Sequence, residues 1–424
     1  MRHRTVIAGI AIGLAASAPL GAQPAPREVT LEAALAEAEA NNPELRAAAA
    51  AVEESRGRLL AARTYAYNPA IEVEGADRRG PVGSTTDRGI VLSQELEIAG
   101  QRGKRAAAAE AGLAAAEGRR ARRRREVLAA VERAFAEAVR GRELVEVARA
   151  DVELTGNLLS FEERRLAAGA GTQIEVNLAR AAAGRAVRRF QKGSAAWAEA
   201  RSRLAEGIGL DPAAPLLTAG GLPGSQSVSL PPLEELVRRA LASRSDLAAL
   251  RRERERAERR IGLERSLAIP NLEIGAFVSR EEGDDLTGLR AGIAIPIFDR
   301  NRGGIAEAEA EASRIGAEVV AAELAAVREL TAAYAHYQAA AEALSVLEGL
   351  VVETLAESLA LLRRAVEEGE LSATDVLLLR RELVEGRREQ IEAAAELWFA
   401  RTDLALAVES DLPDLAGEDT TDEN

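Results

Sequence analysis

The stretch Asn271-Leu-Glu-Ile-Gly-Ala-Phe-Val-Ser-Arg-Glu-Glu-Gly-Asp-Asp-Leu-Thr-Gly-Leu-Arg-Ala-Gly-Ile-Ala-Ile-Pro-Ile-Phe298 decides the fold. Leu272, Ile274, Ala276 and Val278 alternate with polar or small residues. After a polar break at Glu281 to Asp285 the alternation resumes through Leu289, Ala291, Ile293, Ile295 and Ile297. Period two over this length is a strand signal. Each arm has around ten residues, the length that a tilted membrane strand needs. The spacing predicts a β-hairpin over 271–298 with a turn that faces water.

The pattern occurs a second time, about 200 residues earlier. Ile71, Val73 and Gly75 alternate with Glu72 and Glu74, a polar loop follows at Arg78 to Asp87, and Ile90, Leu92, Leu96 and Ile98 alternate with Ser93, Glu95 and Glu97. That is a hairpin over 69–98, with Glu95 and Glu97 on one solvated face. The repeat extends well beyond the hairpins. Glu44-Leu45 matches Asp246-Leu247, Pro69 matches Pro270, Arg102-Gly103 matches Arg302-Gly303, Gly169 matches Gly369, and Glu175-Val176 matches Asp375-Val376. The chain therefore divides into a first repeat over 23–210, a Pro- and Gly-rich linker over 211–232, a second repeat over 233–410 and an acidic tail over 411–424.

Helical patterns surround each hairpin. Residues 28–66 read as helix interrupted at Asn41-Asn42-Pro43. Unbroken, proline-free helical patterns run over 104–166 and 305–366, each roughly 90 to 100 Å long at 1.5 Å per residue. Val327, Leu330, Tyr334, Tyr337, Leu344, Leu347 and Val351 follow steps of three and four, a seam for neighbouring helices. Tight turns at Gly169 to Gly171 and at Gly369 lead into return helices over 172–209 and 372–409. Thr172 with Glu175, and Ser372 with Asp375, have capping-box spacing.

Met1-Arg2-His3-Arg4 followed by the apolar run Val6 to Leu20 reads as a secretory leader over 1–22. No other stretch is long and uncharged enough for a transmembrane helix, so any membrane segment must be strands closed into a barrel. There is no cysteine, hence no disulfide and no lipidated thiol. The formal charge is −13, and loss of Arg2 and Arg4 with the leader lowers it by two to −15, which argues against nucleic acid as partner. Scarce aromatics and abundant alanine favour closely packed helices over a thick core. Four strands cannot close a barrel. A dimer would supply eight strands and a trimer twelve, and only twelve leave a lumen.

Leu92-Ser-Gln-Glu-Leu-Glu-Ile-Ala-Gly-Gln-Arg-Gly-Lys104 and Ile293-Ala-Ile-Pro-Ile-Phe-Asp-Arg-Asn-Arg-Gly303 resemble the strand-to-helix junctions of TolC-like outer-membrane efflux proteins, above all the heavy-metal branch. The resemblance spans about residues 30–410, with Gly100, Arg102, Gly103, Pro296, Arg302 and Gly303 at the junctions. It implies a mainly α fold with a transmembrane β-barrel contribution: long antiparallel helical hairpins forming an α-barrel, and four strands per chain completing a twelve-stranded barrel in a homotrimer. It further implies localisation in the outer membrane with extension into the periplasm, contact with outer-membrane lipid, and docking to a periplasmic adaptor and an inner-membrane pump. The duct would be passive, serving metal ions or small toxic compounds. A type I protein-secretion outlet has the same architecture, and a periplasmic coiled-coil structural or adaptor protein is the alternative of another class.

By the same resemblance Asp375, Glu175 and Leu378 fall at the periplasmic pore gate, with Leu378 where relatives often carry a second acid. Arg164, Arg165, Gly169, Gly171, Thr172, Arg363, Arg364, Gly369, Leu371 and Ser372 fall at tips that contact the adaptor. Local chemistry offers a plainer reading: Asp375 completes a cap, glycines supply left-handed turns and arginines complement helix ends. Arg119 to Arg125 is expected to pair with acids of other helices. His336 stands alone, short of the converging ligands a metal needs. Tyr65, Tyr67 and Phe298 suit either an aromatic girdle at the periplasmic interface or packing at the barrel foot. No nucleophile, cofactor motif or metal set is present, so no enzyme, cofactor or metal site is expected.

Overall fold

The computed structural model describes residues 27–80, 83–224, 230–352 and 373–410, with the backbone alone at 350–352 and 373–375. The leader over 1–22 and the tail over 411–424 lie outside them. Strand β1 (Arg27–Val29) leads into helices α1 (Leu31–Asn41) and α2 (Pro43–Arg63), strands β2 (Ala70–Gly80) and β3 (Gly83–Leu96), and helices α3 (Gln101–Ala167) and α4 (Gln173–Gly207). Then come β4 (Leu216–Thr218), α5 (Leu233–Ser243), α6 (Ser245–Leu267), β5 (Leu272–Glu281), β6 (Asp284–Ile293), α7 (Arg302–Val346), a π-helical turn (Leu347–Val352) and α8 (Ala373–Val408).

Asn42 makes the break between α1 and α2. Its side chain accepts from the amides of Glu44 and Leu45 at 2.8 and 3.3 Å and donates to the Gly207 carbonyl at 2.8 Å, while Pro43 takes the first helical position, which needs no amide. One residue thus ends a helix, starts the next and ties both to α4.

The sheet is antiparallel throughout, in the order β2-β3-β5-β6. Beneath it the helices keep the same lateral order: α2 packs on α3, α3 on α6, and α6 on α7. Since α2 and α6 are short, the lower tier is completed by the return helices, α4 on α3, α3 on α8 and α8 on α7. With 67 residues, α3 spans both tiers over about 100 Å. Every strand therefore continues a helix, and the chain is one four-stranded, four-helix-wide layer.

Two apolar clusters bind the tiers at mid-height. Ala34 and Ala38 of α1 meet Val131 and Phe135 of α3 and Leu204 of α4; Leu236 of α5 meets Leu330 and Leu344 of α7 and Leu404 of α8. Burying each leucine contributes about 1.5–3 kcal/mol. Between the repeats, α3 and α6 touch at Gly118, where a Cβ would lie 2.9 Å from that of Ala249. No larger residue fits that crossing.

Several sequence expectations need correction. Within the polar stretch Arg78 to Asp87, residues 78–80 and 83–87 are paired strand rather than loop. The Arg78 guanidinium donates to Asp87 at 3.0 and 3.2 Å and the Thr86 hydroxyl to Asp77 at 2.9 Å, so cross-strand polar pairs carry the ladder up to Gly80 and Gly83. At Glu281 to Asp285 the loop shrinks to Glu282-Gly283, both in the left-handed region. Strand β6 stops at Ile293 and does not reach Ile297, because Pro296 has no amide to pair and the Ile297 amide turns back to the Ile295 carbonyl. The helix expected unbroken over 305–366 changes to π geometry at Leu347. Residues 28–66 begin as strand, and the linker contains β4, which pairs parallel with β1; three residues are too few to show a period. Glu97 is buried against Arg105 at 2.7 Å instead of solvated.

Candidate functional site: a two-faced sheet above a helical tip

The strand register sorts the sheet side chains into two faces. Ile71, Leu92, Ala276 and Leu289 stand directly opposite one another, as do Val73, Ile90, Val278 and Thr287 two residues along. The alternate rows hold Glu72, Val91, Phe277 and Gly288, and Ala70, Ser93, Gly275 and Arg290. On that polar face Arg290 reaches Glu273 at 3.1 Å and Glu72 at 3.8 Å. None of the described residues covers the apolar face, where Val73 and Leu289 are 77% and 87% exposed. An apolar sheet face of this size suits hydrocarbon. Both edges, β2 and β6, lack a partner strand among the described residues. No helix among the described residues is long and apolar enough to cross a membrane.

At the foot of the sheet, chain reversals are made by left-handed residues. Gly100 has φ 72° and Asn301 has φ 54°, and both precede a long helix. The Asn301 side chain donates to the Glu264 carbonyl and carboxylate, each at 2.8 Å. Of the residues expected at the junctions, Gly100 makes the first turn and Arg102 donates to the Arg63 carbonyl at 2.7 Å. Pro296 ends strand pairing, while Gly103, Arg302 and Gly303 lie in first helical turns. Asn301 was missed, although it stands 201 residues after Gly100 and asparagine tolerates this conformation. Tyr65 braces the foot: its hydroxyl donates to the Glu95 carbonyl at 3.0 Å and accepts from the Glu97 amide at 3.1 Å. Phe298 is fully exposed.

At the opposite end, the turn between α3 and α4 is built around Arg165. Its guanidinium donates to the Ala170 carbonyl and to buried Glu162, both at 3.1 Å, and lies over the Phe161 ring. Gly169 has φ 73°, and a Cβ on Gly171 would press on Arg165. The Thr172 hydroxyl accepts from the Glu175 amide at 3.2 Å, and the Glu175 carboxylate accepts from the Thr172 amide at 2.7 Å, a complete capping box. That amide, with the Thr172 hydroxyl, holds the Glu175 carboxyl below its ordinary range. Arg164 is exposed. The equivalent tip residues Arg363, Arg364, Gly369, Leu371 and Ser372 lie outside the described residues, as does the Asp375 side chain. Leu378 is exposed on α8.

Not foreseen was an ionic node between the tip and the mid-height apolar clusters. Asp151 of α3 is wholly buried, accepting from Arg189 of α4 at 2.6 Å and from Arg380 of α8 at 2.5 Å. It joins α3 to the return helices of both repeats. In a helix as charge-rich as α3, one more acid gave no sequence signal. Five of the six arginines in the run Arg119 to Arg125 are paired: Arg119 with Glu253, Arg123 with Glu44 and Arg124 with Glu39 on other helices, Arg122 with Glu126 of its own helix and with Glu409, and Arg125 with Glu409 just past α8; Arg120 has no ion pair among the described residues. Nearby, burial raises the Asp246 carboxyl, but the hydrogen bond and charge of Arg244 outweigh it and the net shift is downward. His336 pairs with Glu396 at 2.8 Å. No three His, Asp or Glu side chains converge among the described residues.

A sheet with one lipid-suited face and two open edges, standing on a helical layer, has the geometry of a membrane channel protein. Its fold is that of a membrane protein from Pseudomonas aeruginosa, with a TM-score of 0.76 at 20% identity over 89% of this chain and 93% of that one. It is likewise that of the MtrE outer membrane channel of Neisseria gonorrhoeae in its open state, with a TM-score of 0.74 at 19% identity over 90% and 89%. The sequence is 26% identical to the cobalt-zinc-cadmium resistance protein CzcC of Cupriavidus metallidurans over 383 residues, 89% of this chain and 90% of that protein. The sequence profile of the outer membrane efflux proteins matches residues 34–210 and 236–408, and the chain belongs to this family. It is an efflux channel of the outer membrane that extends into the periplasm, and the family is one of channels rather than enzymes.

Proposed function

We propose that three copies close edge to edge, β6 of one against β2 of the next, into a twelve-stranded barrel continued by a tunnel twelve helices around. The observation that carries this reading is the single open layer, in which four strands continue four helices in the same order. Unpaired amides at a sheet edge in lipid cost several kcal/mol each, so the edges require other copies. Glu72, Glu273 and Arg290 would then face the lumen and Val73 and Leu289 the lipid. The tips, with Arg164, Thr172 and their counterparts Arg364 and Ser372, would receive a periplasmic adaptor that couples the duct to an inner-membrane pump. Asp375 would form an acidic ring at the gate, with Leu378 as an apolar step beside it and Glu175 serving the neighbouring cap. Cargo of metal ions is favoured by the likeness to a cobalt-zinc-cadmium resistance protein along nearly the whole chain.

Mass measurement of the purified protein in detergent tests the assembly. Three protomers that come apart only on heating are expected, and a water-soluble monomer would contradict it. Deletion in the native host is expected to raise sensitivity to divalent transition metals, and unchanged sensitivity would exclude metal cargo.

A further inference from the structure

The lipid-suited face of the paired strands is too short for a membrane. On β5 it runs from Leu272 to Val278, and six residues at about 3.3 Å, tilted by about 40°, give roughly 15 Å of height, against about 25 Å for the apolar band of such barrels. It cannot be extended upward, because the next outward row places Arg88 opposite Arg280. Downward the outward side of β6 continues beyond its last paired residue in Ile295 and Ile297, followed by Phe298, which is 99% exposed. Ile98 and Ile269 are exposed at the same level. This segment adds the missing height of roughly 10 Å.

Directly below lie Lys104, Arg300 and Arg302, all exposed and without an ion-pair partner among the described residues. Arg300 donates only to the Pro296 carbonyl at 3.3 Å, and Asp299, the single acid between Phe298 and Gly304, accepts from the Asn301 amide at 2.8 Å. Helices α3 and α7, which start here, carry no acid in the first turn, whereas α1, α2, α4, α5 and α6 each carry at least one. Apolar side chains followed by unneutralised cations match the profile of a leaflet, hydrocarbon and then phosphate.

We propose that Ile98, Ile269, Ile295, Ile297 and Phe298 form a collar in the inner leaflet of the outer membrane, and that Lys104, Arg300 and Arg302 hold the phosphates of anionic phospholipids beneath it. The proposal rests on the barrel reading above. Continuity with the lipid face of the sheet, and cations where a leaflet ends, select lipid as the occupant over the foot of a neighbouring copy.

The full chain, reconstituted in nanodiscs of phosphatidylethanolamine mixed with equal phosphatidylglycerol and phosphatidylcholine, is released into native mass spectrometry and its retained lipids are counted. Phosphatidylglycerol is expected to be retained preferentially. Lys104→Gln and Arg300→Gln are each expected to cut that preference on the order of fivefold, and salt to weaken it, since the cations are exposed. A preference unchanged in the double variant overturns the proposal. So does loss of the trimer by Phe298→Ser in lipid-free detergent, which would assign the collar to the subunit interface. Conductance of the same samples separates the two readings: channels with an altered lipid preference report on the collar alone, whereas absent channels in the parent protein count against the duct itself.

Discussion

The two long descending helices start alike and end differently. Both follow a strand through a left-handed residue, Gly100 or Asn301. Yet α3 stays α-helical to Ala167, whereas α7 gives way to π geometry at Leu347. At the offset that relates Gly100 to Asn301, the π turn falls opposite Glu146 to Asp151 of α3, and Val352 stands where α3 has Asp151. Where one copy is pinned to both return helices by a buried carboxylate, the other carries an apolar residue and a widened helical ladder. Duplication thus kept the foot and let the lower half diverge. In the proposed duct the first hairpin would then be the fixed wall and the second the part that rearranges at the periplasmic end.

The largest expected effect bears on that pin. Asp151→Ala leaves Arg380 and Arg189 without their shared carboxylate, and breaking a buried pair from one side costs about 3–5 kcal/mol. Thermal dissociation of the protein should record the loss, and adding Arg380→Leu should recover part of it, since the stranded charge goes with it. A midpoint equal to that of the parent would remove the distinction between wall and moving part.

The two feet should respond in parallel but unequally. Gly100→Ala forces a side chain into left-handed backbone and costs about 1–2 kcal/mol. Asn301→Ala pays for the backbone less, because asparagine already bears a Cβ there, but loses two hydrogen bonds to Glu264 worth about 1 kcal/mol each. Asn301→Gly should therefore remain below the parent in stability. If it matches the parent, the side-chain bonds do nothing and the feet are equivalent.

The smallest effect concerns the ordered tip. Thr172→Ala removes a cap worth about 1 kcal/mol. The Glu175 carboxyl is held below its ordinary 4.5 by the Thr172 amide, and a depressed carboxyl contributes stability that is full above its unfolded value and lost as pH falls through the folded one. Proteolysis at the α3–α4 turn should therefore accelerate in acid below that value in the parent protein and lose that pH dependence in Glu175→Gln, which does not titrate, whereas Thr172→Ala keeps the amide that lowers the carboxyl.

What the sequence disclosed follows from length scales. Period-two alternation over 71–98 and 272–293, helical runs tens of residues long, and a duplication of the whole plan each leave many coincident residues, so strands, helices and tip were legible. The capping box at Thr172 and Glu175 was legible because it is local. Features made by one residue meeting a distant one were not. Asp151 looks like any other acid on α3 until α8 brings Arg380 to it, and β4 is three residues whose partner lies at the start of the chain. Polar residues at Arg78 to Asp87 resembled a loop because strand tips above a membrane need no apolar face. Asn301 could have been found from its offset to Gly100.

The central claim, a trimeric duct with its gate in the second hairpin, is met most directly by single-channel conductance of the purified protein in planar bilayers, wild type against Asp375→Ala. Stable conductance steps whose cation preference falls or whose size rises in the variant are the expected result. Well-folded trimers that pass no current in either form would contradict the account.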